Sequence, residues 1–163
     1  MFAMFNGSHK ERVRFNINKP KKRIEGLCWI AFSSGRNVLF DCVVDTGAHY
    51  VLVPQERWKN HVSADDALKL KKGETRGIGG SLEVLETKLP ITIVSRDSAF
   101  ELGPCTVLLA LDEDAAEKDK KHQPLRQVLL GIGGGTLDKG GLCINWKDGH
   151  ASFVEVDDAS NPQ

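Results

Sequence analysis

The chain has 163 residues and a mass of 17.9 kDa, which suits one domain and leaves no room for a second of full size. Hydrophobic residues make up 40% of it and charged residues 27%, which excludes the composition of a disordered protein. Lys plus Arg and Asp plus Glu number 22 each, so no net charge favours nucleic acid or an anionic membrane surface. No apolar run approaches the roughly 20 residues that span a bilayer.

The first two thirds of the chain read as short strands. Apolar residues alternate with polar ones at Val13, Phe15 and Ile17, which predicts a half-buried strand over 12–18. Two apolar stretches, 27–32 and 38–44, flank a loop that contains Gly35 and predict a hairpin. After a short strand at 51–53, the segments 55–60 and 63–70 have the composition of short helices, with Ser63 as a candidate N-cap.

Further short strands are predicted at 82–85, 89–94, 106–111, 128–130 and 142–146, and a last strand ends near Val156. The charged run 112–121 is interpreted as a solvated loop or surface helix. No strand alternates with a long helix, so the pattern favours a mainly-β barrel or sandwich. We expect one domain over 12–156, a C-terminal tail at 157–163, and residues 1–11 to be disordered or left over from cloning.

The four cysteines lie far from one another and form no C-x-x-C pair. We therefore expect free, mostly buried thiols in the cytoplasm or another reducing compartment, and no metal site. The N-terminal residues lack the pattern of a secretory signal. A leader or anchor that was removed from a longer precursor stays open as an alternative. The cysteines concerned are Cys28, Cys42, Cys105 and Cys143.

One carboxylate has the setting of a catalytic group. Asp45 follows the β-branched residues Val43 and Val44 and precedes Thr46 and Gly47, so a buried strand delivers it into a glycine turn. Burial raises the pKa of a carboxyl group, and a second carboxylate nearby prevents both from ionising together. Such a pair shares one proton, so that one member acts as base and the other as acid on a water molecule.

The segment around Asp45, followed by Val-Leu-Val-Pro54, resembles the active-site segment of retropepsin-like aspartic proteases. Gly77-Ile-Gly-Gly80 is similar to the tip of that family's flap hairpin, and Val128-Leu-Leu-Gly131 resembles the element that closes behind the catalytic turn. The resemblance covers about 27–156. It implies a closed β-barrel of the retropepsin (acid protease) type with one or two short helices.

The resemblance also implies the roles of individual residues. Asp45 is then the catalytic carboxylate, Thr46 ties two active-site loops together, and Gly47 leaves room for the substrate backbone. His49, and Ile132 in place of the usual basic residue, depart from the family pattern. The expected substrate-binding residues are Ala48, His49, Gly77, Ile78, Gly79 and Gly80.

Only one Asp-Thr-Gly is present, so a catalytic pair requires two copies of the chain around a two-fold axis. The resulting hypothesis is a homodimeric aspartic endopeptidase that cleaves peptide or protein substrates without a cofactor. Two alternatives stay open: an inactive module of the same fold that binds peptides or partner proteins, and a β-barrel interaction module unrelated to proteases. A nucleotide-binding interpretation of Gly131–Gly135 fails, because Thr136 stands where a dinucleotide loop needs glycine.

Overall fold

A computed structural model describes residues 9–46, 48–77, 80–111, 127–131 and 140–156. Within these ranges the chain forms ten strands and two short helices. Their bounds are β1 His9–Asn18, β2 Arg23–Ala31, β3 Asn37–Asp45, β4 Val51–Val53, α1 Gln55–Trp58, α2 Ala64–Leu68, β5 Lys71–Gly77, β6 Gly80–Val94, β7 Ala99–Ala110, β8 Val128–Gly131, β9 Gly141–Asn145 and β10 His150–Val156.

Six strands close into a barrel in the order β2-β3-β8-β4-β7-β6, and β6 returns to pair with β2. The pairs β3–β8 and β4–β7 are parallel, whereas the other pairs in the ring are antiparallel. The predicted mainly-β barrel with two short helices is confirmed. Closure leaves the interior to apolar side chains that alternate along each strand; on β3 these are Phe40, Cys42 and Val44.

A second layer, β1-β10-β9, continues from β2 and packs against the barrel. Phe15 and Phe153 are fully buried between the two layers, and the Phe153 ring lies 5.1 Å from the ring of Phe100 on β7. Phe15 packs directly on Gly26, where a Cβ would overlap its ring. The lack of a side chain at Gly26 therefore allows the two layers to approach each other closely.

Four predicted strand boundaries were wrong, among them that of β7, which begins at Ala99 and not at Thr106 because 99–105 pair with β6. β1 begins at His9, not Arg12, because 9–11 pair with the end of β10. β2 begins at Arg23 inside a basic run, since Asn18 and Arg23 close the hairpin with β1. β6 is one continuous strand and not two, because 86–88, the predicted gap, pair with β7.

The two helices close the end of the barrel opposite Asp45. Ser63 is the N-cap of α2, as predicted, and its hydroxyl oxygen accepts a hydrogen bond from the Asp66 N–H at 3.1 Å. Trp58 of α1 is buried and donates its indole N–H to the Ala110 carbonyl at 2.9 Å. No helix in the described part of the chain is both long enough and apolar enough to span a membrane.

The cysteines are free thiols, and three of the four are buried. Cys28 and Cys42 are neighbours across β2 and β3 inside the barrel. The hydrogen bond with Cys42 and the burial of the group raise the pKa of Cys28 well above its usual value. A thiol held in its neutral form in this way is chemically inert.

Candidate functional site

Asp45 is the last residue of β3, at the rim of the barrel. The preceding Val44 points into the core and is 5% exposed, whereas Asp45 is half-buried and Thr46 is exposed. The buried strand thus carries the carboxylate to the surface without placing it in the apolar interior. Asp45 is paired in parallel with Gly131, the last residue of β8. The two sequence motifs that we expected to act together therefore end side by side.

The loop after Asp45 closes on Gly131 through backbone contacts. The Ala48 N–H donates to the Asp45 carbonyl at 3.2 Å, and the Gly131 N–H donates to the Tyr50 carbonyl at 3.2 Å. A Cβ on Gly131 would lie 2.5 Å from that same Tyr50 oxygen. Because the atoms that it would meet belong to the backbone of Ala48 and Tyr50, they cannot move away without disturbing the loop. Glycine is therefore required at position 131. Because it has no side chain, the loop after Asp45 can approach β8 closely enough for the backbone hydrogen bond from Gly131 to Tyr50 to form.

Two aromatic side chains flank this loop on its exposed side. His49 and Tyr50 are both exposed, Tyr50 to 43%, and their rings lie 6.3 Å apart. His49 was a predicted substrate-binding residue, and Tyr50 was not. The position of Tyr50, next to His49 and directly before β4, was the sequence feature that could have identified it. Gly47 lies outside the described residues.

The predicted flap glycines lie in a hairpin formed by β5 and β6. Gly77 pairs with Gly80 at its end, and Ile78 and Gly79 lie outside the described residues. The backbone pairing of β6 with β7 and the residue after it ends at Glu83, whose carbonyl accepts from the Leu111 N–H at 2.9 Å, so three residue pairs of the hairpin extend beyond the barrel. At about 3.3 Å per residue this arm is roughly 10 Å long. Such an arm can cover a ligand that binds outside the barrel.

A charged pair lies one strand away from Asp45 and was not found from sequence. Ile24 is opposite Val44, so Arg23 adjoins Asp45 at the rim. The guanidinium of Arg23 donates to Glu25, as does the side-chain amide of Asn18. The hydrogen bond from Arg23 is the main cause that lowers the pKa of Glu25. The sequence shows a basic and an acidic residue at Arg23 and Glu25. It does not show the pairing of β2 with β3 that brings these two residues close to Asp45.

The described part of the chain contains no group of three His, Cys, Asp or Glu side chains that could hold a metal ion. Of the predicted site residues, Asp45, Thr46, Ala48 and His49 form one continuous loop at the rim. Gly77 and Gly80 belong to the separate projecting arm.

No family model matches the chain. No curated protein matches its sequence either. Among solved structures the fold is similar to the crystal structure of a retropepsin-like aspartic protease from Rickettsia conorii, with a TM-score of 0.57 and 18% identity. The similarity covers 96% of this chain and 98% of that one. The chain thus has a retropepsin-like fold over nearly its whole length.

Proposed function

We propose that the protein is an aspartic endopeptidase that acts as a homodimer, with one Asp45 from each subunit. The observation that carries the proposal is the pairing of Asp45 with Gly131 at the barrel rim. It presents a carboxylate from a rigid strand, on a loop held by backbone hydrogen bonds. The similarity of the fold to a retropepsin-like aspartic protease supports it.

The chemistry follows from two carboxylates that approach each other. Two such groups in contact do not both ionise, so the pair holds one proton. The ionised member removes a proton from water, the water oxygen attacks the peptide carbonyl carbon, and the other member donates its proton to the carbonyl oxygen. The first member then gives the proton that it took from water to the amine nitrogen, the C–N bond breaks, and the second member takes back a proton from a hydroxyl group of the intermediate, which leaves a carboxylic acid and the free amine. No covalent bond to the enzyme forms.

Neighbouring residues have supporting roles in this proposal. The Thr46 hydroxyl ties the loops of the two subunits together, and Gly47 leaves space for the substrate backbone. An extended peptide would lie between Asp45 and the β5–β6 arm, forming main-chain hydrogen bonds as an added strand does. The residues proposed to contact it are Ala48, His49, Gly77, Ile78, Gly79 and Gly80.

Cleavage of an unstructured protein between pH 4 and 7 tests the proposal, with Asp45→Asn as the variant. We expect a loss of at least about a hundredfold, because the amide cannot serve as base. Asp41→Asn is the matched control, since Asp41 is an exposed carboxylate on the same strand; it should leave cleavage unchanged. Equal cleavage by the wild type and Asp45→Asn would remove Asp45 from the mechanism. Peptide binding without any cleavage by the wild type would support the inactive module instead.

A further inference from the structure

Two hairpin turns meet at the rim near Asp45 and form a basic surface. The first, 19–22, joins β1 to β2, and the second, 146–149, joins β9 to β10. The Ile17 N–H donates to the Gly149 carbonyl, and the Lys19 ammonium donates to the Lys147 carbonyl at 3.4 Å. The turns are therefore in direct contact although they lie far apart in the sequence.

Positive charge is concentrated on these turns. The segments 18–25 and 145–150 hold five basic and two acidic residues, in a chain whose net charge is zero. Both acidic residues are engaged locally: Glu25 accepts from Arg23, and Asp148 accepts from the Asn145 side chain at 2.7 Å. Four lysines remain exposed at the surface of the turns, and we call them the lysine cluster: Lys19, Lys21, Lys22 and Lys147.

The two turns share one backbone design but differ at a single position. In each turn an asparagine side-chain oxygen accepts from the N–H three residues later, Asn18 from Lys21 at 3.1 Å and Asn145 from Asp148 at 3.0 Å. The fourth residue after the asparagine is left-handed in both: Gly149 has φ 77° and Lys22 has φ 52°. Glycine adopts this conformation without strain, whereas lysine pays roughly 1–2 kcal/mol.

Lys22 is the one non-glycine residue with positive φ in the described part of the chain. Strained backbone of this kind collects where a side chain has a task. Gly149 in the second turn shows that glycine can adopt this conformation. The first turn nevertheless has a lysine there, whose ammonium group is exposed to solvent. The charge itself is the feature that glycine could not supply.

We propose that the lysine cluster docks an acidic segment of the polypeptide that enters the Asp45 site. The substrate class rests on the proposed function, but the binding does not. The cluster extends from Lys22, about one strand spacing from Asp45, to Lys147 at three to four strand spacings, which is about 5–20 Å. A peptide advances about 3.3 Å per residue, so the acidic residues should lie a few positions from the bond that is cleaved.

A polypeptide suits this surface better than nucleic acid or lipid. The cluster is a compact pair of turn tips and not a track that could follow many phosphates. Trp146, 51% exposed, starts the second turn and offers an apolar contact to a peptide side chain. Carboxylates spaced along an extended chain can reach several turn lysines at once.

The test uses the full chain with Asp45→Asn, so that peptides bind without being cleaved. Two labelled peptides differ only in carrying a run of glutamates or of glutamines, and anisotropy measures their affinities. We expect the glutamate peptide to bind about tenfold more tightly at low salt. Replacing all four lysines of the cluster by glutamine should remove this preference. The matched control replaces four exposed lysines elsewhere: Lys10, Lys59, Lys69 and Lys88.

The control variant has the same net charge as the cluster variant, so an equal loss in both would overturn the proposal. No preference for the glutamate peptide would overturn it as well. So would cluster-dependent binding to an oligonucleotide or to phosphatidylserine vesicles without binding to the glutamate peptide. Lys22→Gly removes charge while relieving strain, so a lowered affinity with an undiminished Tm supports docking and excludes misfolding. Docking without Asp45-dependent cleavage would contradict the proposed function alone.

Discussion

The two ends of the barrel are built on different principles. At the end formed by Phe32 and α1, side chains hold the structure: the rings of Phe32 and His61 stack at 5.2 Å, and Trp58 is anchored to Ala110. At the Asp45 end, backbone contacts backbone across Gly131, and charged side chains remain exposed. Truncating a side chain at the first end should cost stability without a selective loss of activity. At the second end, exchanging an exposed charged side chain should change activity or binding with little effect on stability, whereas adding a side chain at Gly131 should affect both.

The largest expected effect on stability is at the Phe32 end. Trp58→Ala should lower the free energy of unfolding by about 3–5 kcal/mol, because it leaves a cavity under α1. Trp58→Phe keeps most of the volume and loses the hydrogen bond to Ala110, at a cost of about 1–2 kcal/mol. Urea unfolding measures both. Cleavage per folded molecule should stay unchanged, and a selective loss of activity would break the proposed division between the two ends.

Gly131→Ala tests the backbone contact at the Asp45 end. The added methyl group would meet the Tyr50 oxygen at 2.5 Å, so we expect a loss of about 3 kcal/mol in urea unfolding together with loss of cleavage. Gly141→Ala is the control, since its Cβ would meet nothing within 4 Å. If the two variants unfold at the same urea concentration, the loop after Asp45 is not held by Gly131.

Substitutions at the left-handed position of the two turns should have smaller effects on stability, and the two effects should have opposite signs. Lys22→Gly should stabilise the protein by about 0.5–1 kcal/mol, the relief of left-handed strain less the entropy of glycine. Gly149→Ala should destabilise it by about 1 kcal/mol or more. Thermal unfolding detects both. A destabilised Lys22→Gly would show that the Lys22 side chain contributes to the fold.

The smallest effect concerns pH. The hydrogen bond from Arg23 lowers the pKa of Glu25, so the folded state favours the ionised carboxylate. Its contribution is present above the unfolded pKa near 4.5 and disappears as pH falls through the lower folded value. Glu25→Gln should therefore cost a few tenths of a kcal/mol at pH 7 and nothing at strongly acidic pH, since the half-buried pair remains in contact with solvent. A cost that does not change with pH would exclude this ion pair as its source.

The sequence predicted those features that depend on neighbours along the chain. The apolar stretch 38–44 that leads to Asp45 and the Ser63 cap of α2 are local features, and the structure confirms the strand and the cap. The continuity of β6 across 86–88 depends on its pairing with β7, so the local pattern predicts two short strands in its place. Likewise, the approach of Lys147 to Lys19 depends on the register of β1 and β10, which no local pattern reveals.

The central claim is that two Asp45 carboxylates act as one unit. Wild-type and Asp45→Asn chains, mixed at constant total concentration and allowed to exchange subunits, test it most directly. If each active site needs both carboxylates, cleavage follows the square of the wild-type fraction, so an equal mixture keeps about a quarter of the activity. A linear decrease, with about half of the activity in the equal mixture, would contradict the shared pair.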